Sequence, residues 1–187
     1  MARSPSICGV ILTDETTVLA DHPAYLTGAI ELLLPRTEMV IVVAGANADS
    51  VAPTVYTRGA SLVVNSSPRS GKFGWLKTGL QEILSRGRDA ALVVLADRTS
   101  TAAAILDRLE AEFFDALESG QWAAVAEFEG SRDYPFYAGR EMIEAYLRAP
   151  LGATAEDVEK AHADRIRYVT FPDEAAKARS EHSIPVL

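Results

Sequence analysis

The residues whose types and positions suit chemistry gather around one stretch, Asn65 to Leu80 (NSSPRSGKFGWLKTGL), and the acid that follows it, Asp97. Asp97 closes the run Ala90-Ala91-Leu92-Val93-Val94-Leu95-Ala96, whose continuous apolar character is that of a strand covered on both faces. A carboxylate at the C-terminal end of such a strand lies at the edge where open α/β sheets bind ligands. Its hard oxygens suit a cation such as Mg2+ that bridges substrate phosphates. A turn or helix-cap role ahead of Thr99, Ser100 and Thr101 accounts for the same residue equally well. Gly71, Gly74 and Gly79 also carry two readings: they let backbone N–H groups approach a nucleotide, or, at Gly79, they permit close packing of a helix on a strand. Arg69, Lys72, Lys77 and Arg98 are the local cations that an anionic ligand would need, and each also reads as ordinary solvated charge.

Several familiar chemistries are excluded. A Walker A loop needs G-x-x-x-x-G-K-[ST], whereas Ser66 occupies the first glycine position and Phe73 the hydroxyl position. His22, His162 and His182 are scattered, and the single cysteine, Cys8, cannot complete a structural zinc set. No G-x-S-x-G elbow supports a serine hydrolase. Cys8 lies inside an apolar run and reads as a small buried hydrophobe rather than a reactive thiol.

The elements that must position these residues follow from the hydrophobic pattern. Ile7 to Leu12, Met39 to Val43, Ser61 to Val64 and Ala90 to Leu95 read as strands. Trp122 to Phe128, a short Tyr134 to Tyr137 and Arg165 to Phe171 extend the set. Between them, helices are expected from Pro23 to Leu34, over Ala48 to Tyr56 with an interruption at Pro53, and through Phe73, Leu76, Leu80, Ile83 and Leu84. Further helices carry Ile105 to Leu117, capped by Thr99, Ser100 or Thr101, and Glu141 to Leu147. Alternating strands and helices predict a mostly parallel sheet with helices on both faces.

The length of 187 residues suits one domain, with residues 174–187 expected to be its least ordered part. Eighteen basic against 26 acidic residues, a net charge of −8, disfavour a nucleic-acid partner. No apolar run has the length of a membrane span, and the N-terminus does not read as a secretory signal, so an intracellular, cytoplasmic protein is expected.

On these residues the chain resembles the MobA-like nucleotidyltransferases, the group of the molybdenum-cofactor guanylyl- and cytidylyltransferases. Val40 to Gly45 is similar to the family's V-V-V-x-G strand, and Val63-Val64-Asn65 to a short strand ending in Asn. Gly71 to Leu80 resembles G-M-x-S-S-L-x-x-G-L, and Leu95 to Thr99 resembles L-x-D-x-P. Asp133 to Tyr137 looks like a G-H-P-x-x-F segment. The resemblance, over roughly Ile7 to Leu147, implies a Rossmann-like three-layer α/β/α sandwich of the nucleotide-diphospho-sugar transferase type, with a mostly parallel mixed sheet. It implies Mg2+ at Asp97, and Asn65, Gly71, Lys72, Gly74 and Lys77 around a nucleoside triphosphate and a small phosphorylated acceptor. Asp173, in Phe171-Pro172-Asp173-Glu174, is similar in place to the family's second acid, and also reads as a helix cap.

The likeness departs after the first strand. Family members have a signature resembling L-A-G-G-x-S-x-R-M-G-x-x-K, where this chain reads Leu12-Thr13-Asp14-Glu15-Thr16-Thr17-Val18-Leu19. Asp14 and Glu15 stand where phosphates would sit, and like charges about 4 Å apart repel by roughly 4 kcal/mol at an effective dielectric near 20. A metal held by Asp14 or Glu15 reverses that sign. Two functions are therefore expected: nucleotidyl transfer from an NTP, or an inactive family member serving as a binding, regulatory or assembly module with a protein partner or a second copy. At Trp75 the family has a small hydroxyl residue, so this indole either fills the acceptor pocket or is a core or interface aromatic.

Overall fold

A computed structural model describes residues 5–13, 23–67, 71–96 and 103–172. The first apolar runs become strands β1 (Ile7–Leu12), β2 (Met39–Ala44), β3 (Ser61–Val64) and β4 (Ala90–Leu95), all mutually parallel where they pair. They are joined by helices α1 (Pro23–Leu33), α2 (Ala48–Thr57) and α3 (Gly71–Ser85). After α4 (Ala103–Glu118), β5 (Ala123–Phe128) and β6 (Ser131–Gly139) form a hairpin, followed by α5 (Arg140–Arg148), α6 (Ala155–Ala161) and β7 (Ile166–Phe171).

The seven strands lie in the order β3-β2-β1-β4-β6-β5-β7, with β6 antiparallel to both neighbours and β5 parallel to β7. The sheet is thus mixed but mostly parallel. Side chains alternate between its faces. Ile7 and Ile11 of β1 join the core under α1, α2 and α4, while Cys8, Val10 and Leu12 join the core under α3, α5 and α6. This period of two along a strand wholly buried on both faces is the three-layer arrangement that continuous apolar runs demand.

Helix α3 lies close on the sheet because residue 79 is glycine. A Cβ there would come within 2.7 Å of Val10 Cγ1 and 3.0 Å of Val43 Cγ2. The packing reading of Gly79 therefore describes its place in the fold.

Three elements differ from expectation. Helix α2 runs through Pro53 instead of breaking. Val51 and Val55 are buried while Pro53 is exposed, so the carbonyl that proline leaves unpaired sits on the solvent side. Strand β6 has nine residues rather than four, because Ser131, Arg132 and Asp133 pair with β5 despite their polarity. The turn between them uses Glu129 at φ 51° and Gly130 at φ 75°, the doubly left-handed backbone that two-residue hairpins favour. Helix α6 was not anticipated, although Thr154 and Asp157 form a reciprocal capping box at its start. The caps expected at Thr99 to Thr101 and the segment 174–187 lie outside the described residues.

Candidate functional site at the carboxyl edge

The switch in strand order falls between β1 and β4: β1, β2 and β3 progress to one side, and β4 returns to the other side of β1. At such a point the connections leave in opposite directions and open a crevice above the strand ends. Leu12 and Leu95 are in register, and the Ala96 N–H donates to the Leu12 carbonyl at 3.0 Å. The chain therefore leaves β1 and β4 side by side, at Thr13 and Ala96. Asp14, Glu15 and Asp97 follow these exits directly and lie outside the described residues, as do Arg69, Arg98 and Asp173. Asp173 follows Pro172, just past the end of β7, which is separated from β4 by β6 and β5. Three strand spacings amount to about 14 Å.

Thr13 is wholly buried and holds the end of β1 to β2, its backbone N–H and its hydroxyl both donating to the Val43 carbonyl at 3.0 and 2.9 Å. Asn47 joins this corner. Its Oδ1 accepts from the Gly45 N–H at 3.1 Å, and its Nδ2 lies 3.4 Å from Thr13 Oγ1. Neither residue was singled out in the sequence. For Thr13 the signal was a polar residue immediately after an apolar strand.

Asn65 sits at the end of β3, nearly buried at 6% exposure, with its N–H donating to the Ala44 carbonyl at 2.7 Å. Its side-chain oxygen accepts from the Ser67 N–H at 3.1 Å, a local turn that aims the chain toward α3. Gly71 opens α3 with φ 62°, a conformation that L side chains rarely adopt. Gly71 and Lys72 are exposed and Gly74 is half-buried in that first part of the helix. The structure thus brings Asn65, Gly71, Lys72 and Gly74 to the strand-to-helix junction at the carboxyl edge. Lys77 is committed elsewhere: its ammonium donates to the Ala149 carbonyl at 2.8 Å and lies 4.8 Å from the Phe73 ring centre. Trp75, at 4% exposure, is buried in the same core as Val10, Leu12 and Leu95, the core role weighed against pocket filling.

A second polar group lies toward the far side of the same edge. Arg132, at the start of β6, pairs with Glu159 of α6, a carboxylate with only 2% side-chain exposure. Glu159 Oε1 also accepts from the Tyr146 hydroxyl at 2.7 Å. Burial opposes the Arg132 charge, and the adjoining Glu159 carboxylate more than restores it, so its pKa stands above the usual arginine value. Burial, followed by the Glu159 charge, pushes the Tyr146 hydroxyl well up. Beside this group lies a hollow of about 430 Å³ whose walls include Glu127, Ser131, Arg132 and Tyr168. Sequence reasoning missed it because the polar start of β6 carried no strand signal.

A family model described as the MobA-like NTP transferase domain matches residues 18–179. No curated protein matches the chain in sequence. Among solved structures, Rv0371c of Mycobacterium tuberculosis is similar with a TM-score of 0.68 and 16% identity, over 96% of this chain and 100% of that one. The same protein in complex with manganese gives a TM-score of 0.61 at 18% identity, over 94% and 98% of the two chains. A nucleotidyl transferase from Methanothermobacter gives 0.68 at 15% identity, over 94% and 97%. A CMP:2-keto-3-deoxy-manno-octonic acid synthetase complexed with CTP gives 0.66 at 12%, over 97% and 100%. At these identities the likeness is one of fold.

Proposed function

Because this chain belongs to the MobA-like NTP transferase domain family, we propose that it transfers a nucleotidyl group from a nucleoside triphosphate to a phosphorylated small-molecule acceptor. The observation that carries this reading is the match over residues 18–179 together with the paired exits of β1 and β4 at the switch point. In the reaction, an acceptor phosphate oxygen attacks the α-phosphorus. A new P–O bond forms there, the bond to the bridging oxygen of the β-phosphate breaks, and pyrophosphate leaves. Such chemistry depends on positioning and on neutralising charge rather than on a protein nucleophile. Asn65, Gly71, Lys72 and Gly74 are assigned to the nucleotide side.

A divalent cation would supply the charge neutralisation, and Mg2+ is assigned to Asp97, with Asp14 and Glu15 as further ligands. Among the described residues no group of three or more His, Cys, Asp or Glu is placed to hold a metal. Support for a divalent ion comes from the manganese complex of the mycobacterial protein of similar fold.

Thermal unfolding with CTP, GTP, ATP and UTP, each with and without Mg2+ or Mn2+, tests the reading. At least one nucleotide should stabilise the folded state only with metal, by about 2.7 kcal/mol at a hundredfold excess over Kd. Asp97→Asn should abolish the response. Silence toward all four nucleotides would overturn the transferase reading. It would favour the second one, an inactive family member serving as a binding, regulatory or assembly module. That reading draws on the acids at positions 14 and 15 and on Lys77, whose ammonium is taken by Ala149.

A further inference from the structure

Asn47 holds the N-cap position of α2, where an asparagine ordinarily accepts a hydrogen bond from the first turn of its own helix. Its side chain makes no such bond. It turns back toward the sheet instead: Oδ1 accepts from the Gly45 N–H at 3.1 Å, and Nδ2 lies 3.4 Å from Thr13 Oγ1. The orientation of the amide follows, because the flipped one would set an NH2 group against the Gly45 N–H. The Thr13 hydroxyl is oriented in turn. It donates to the Val43 carbonyl at 2.9 Å, an oxygen that the Thr13 N–H already reaches at 3.0 Å, so toward Asn47 it can only accept. Thr13 is wholly buried and Asn47 half-buried, which limits competition from water.

Ala44, between Val43 and Gly45, extends the set to the next strand, its carbonyl accepting from the Asn65 N–H at 2.7 Å. The ends of β1, β2 and β3 are thus tied at one corner of the carboxyl edge. We infer that Asn47 and Thr13 are positioning residues for the nucleotide side of the site, acting through Asn65. The inference rests on the transferase reading, which assigns Asn65 to the nucleotide. Asn47 forgoes the bond that would stabilise α2 and makes bonds that hold the strand ends. A shell of this kind restricts the contacting residue before the ligand arrives, so that less freedom is lost on binding.

Isothermal titration of the full chain with CTP, GTP, ATP and UTP in the presence of Mn2+ is the test, with melting temperature measured beside it. Asn47→Ser supplies an equally good cap for α2, but its side chain is too short to reach Thr13. It should melt no earlier than wild type. Its Kd for the tightest of the four nucleotides should nonetheless rise about tenfold, as for other residues that support a binding contact. Thr13→Val should give a similar rise, whereas Thr13→Ser, which keeps the hydroxyl, should stay close to wild type. The double variant Asn47→Ser/Thr13→Val should weaken binding no more than either change alone, because both break one network. A wild type that binds a nucleotide with a Kd unchanged in Asn47→Ser and Thr13→Val overturns the positioning role and leaves the transferase reading standing. A Kd that rises only in step with a falling melting temperature also overturns it. A wild type that binds none of the four removes both.

Discussion

Gly79 and Cys8 show how a single position is decided by what lies against it. Gly79 reads in the sequence as a ligand-approach or a packing glycine, and the facing Val10 and Val43 methyl groups supply the packing contact. Both valines are stiff at χ1 and sit on buried strands, so neither can yield cheaply. Gly79→Ala should therefore destabilise the protein by about 1–3 kcal/mol, the usual cost of overpacking, measured as a lower urea midpoint at unchanged m-value. Cys8 is wholly buried, and burial pushes its thiol up to about 11. It should resist thiol reagents at neutral pH until the protein unfolds. The same shift sets an alkaline limit on stability. A group whose folded pKa is raised stabilises fully below its unfolded value and loses that contribution as pH rises through the folded one. For Cys8 the loss runs from pH 9.0 to about 11, and for Tyr134, pushed up mainly by burial to about 12, it begins at 10.0. Urea titrations at stepped pH should show stability falling across this window, with the lower part flattened in Cys8→Ala.

Helix α6 depends on the contacts of the whole element. It has seven residues, too few to stand alone in water, so its capping box and its contacts must hold it. The main polar anchor is Glu159, which joins α6 to Arg132 of β6 and Tyr146 of α5. Removing one partner of a buried pair leaves the other charge uncompensated, at a typical cost of about 3–5 kcal/mol. Arg132 keeps 24% side-chain exposure and can partly rehydrate. Glu159→Gln should therefore cost about 3 kcal/mol. Hydrogen exchange should quicken first in α6, while β1 to β4 keep their protection. A uniform loss of protection over the whole sheet would contradict this local role. Helix α2 shows the converse, since a proline in its interior is tolerated where it faces solvent and the valines beside it face the core.

In the molecule as a whole, the seven-stranded sheet brings the ends of β1, β3 and β4 to one edge. Asn65, Thr13 and Ala96 mark the ends of β3, β1 and β4, and their backbone groups are tied to neighbouring strands. An edge built this way presents a rigid floor. No helix among the described residues is long and apolar enough to cross a membrane.

Local pattern alone determined the first four strands, α1, α3 and the alternating order that makes the sheet mostly parallel, and it placed α2 without its continuity through Pro53. A continuous apolar run has few ways to be buried, and its neighbours on the chain are its neighbours in space. The similarity of Gly71 to Leu80 and of Leu95 to Thr99 to family motifs pointed to the family that residues 18–179 match. The length of β6, the existence of α6 and the pairing of Arg132 with Glu159 were decided by tertiary structure. There the partners are 27 residues apart, and polar side chains become interior only when a distant element covers them. The same holds for Lys77, which the sequence placed beside a nucleotide and the fold joined to the end of α5. A lysine's position on a helix is local information. Which oxygen its ammonium reaches depends on how the helices pack.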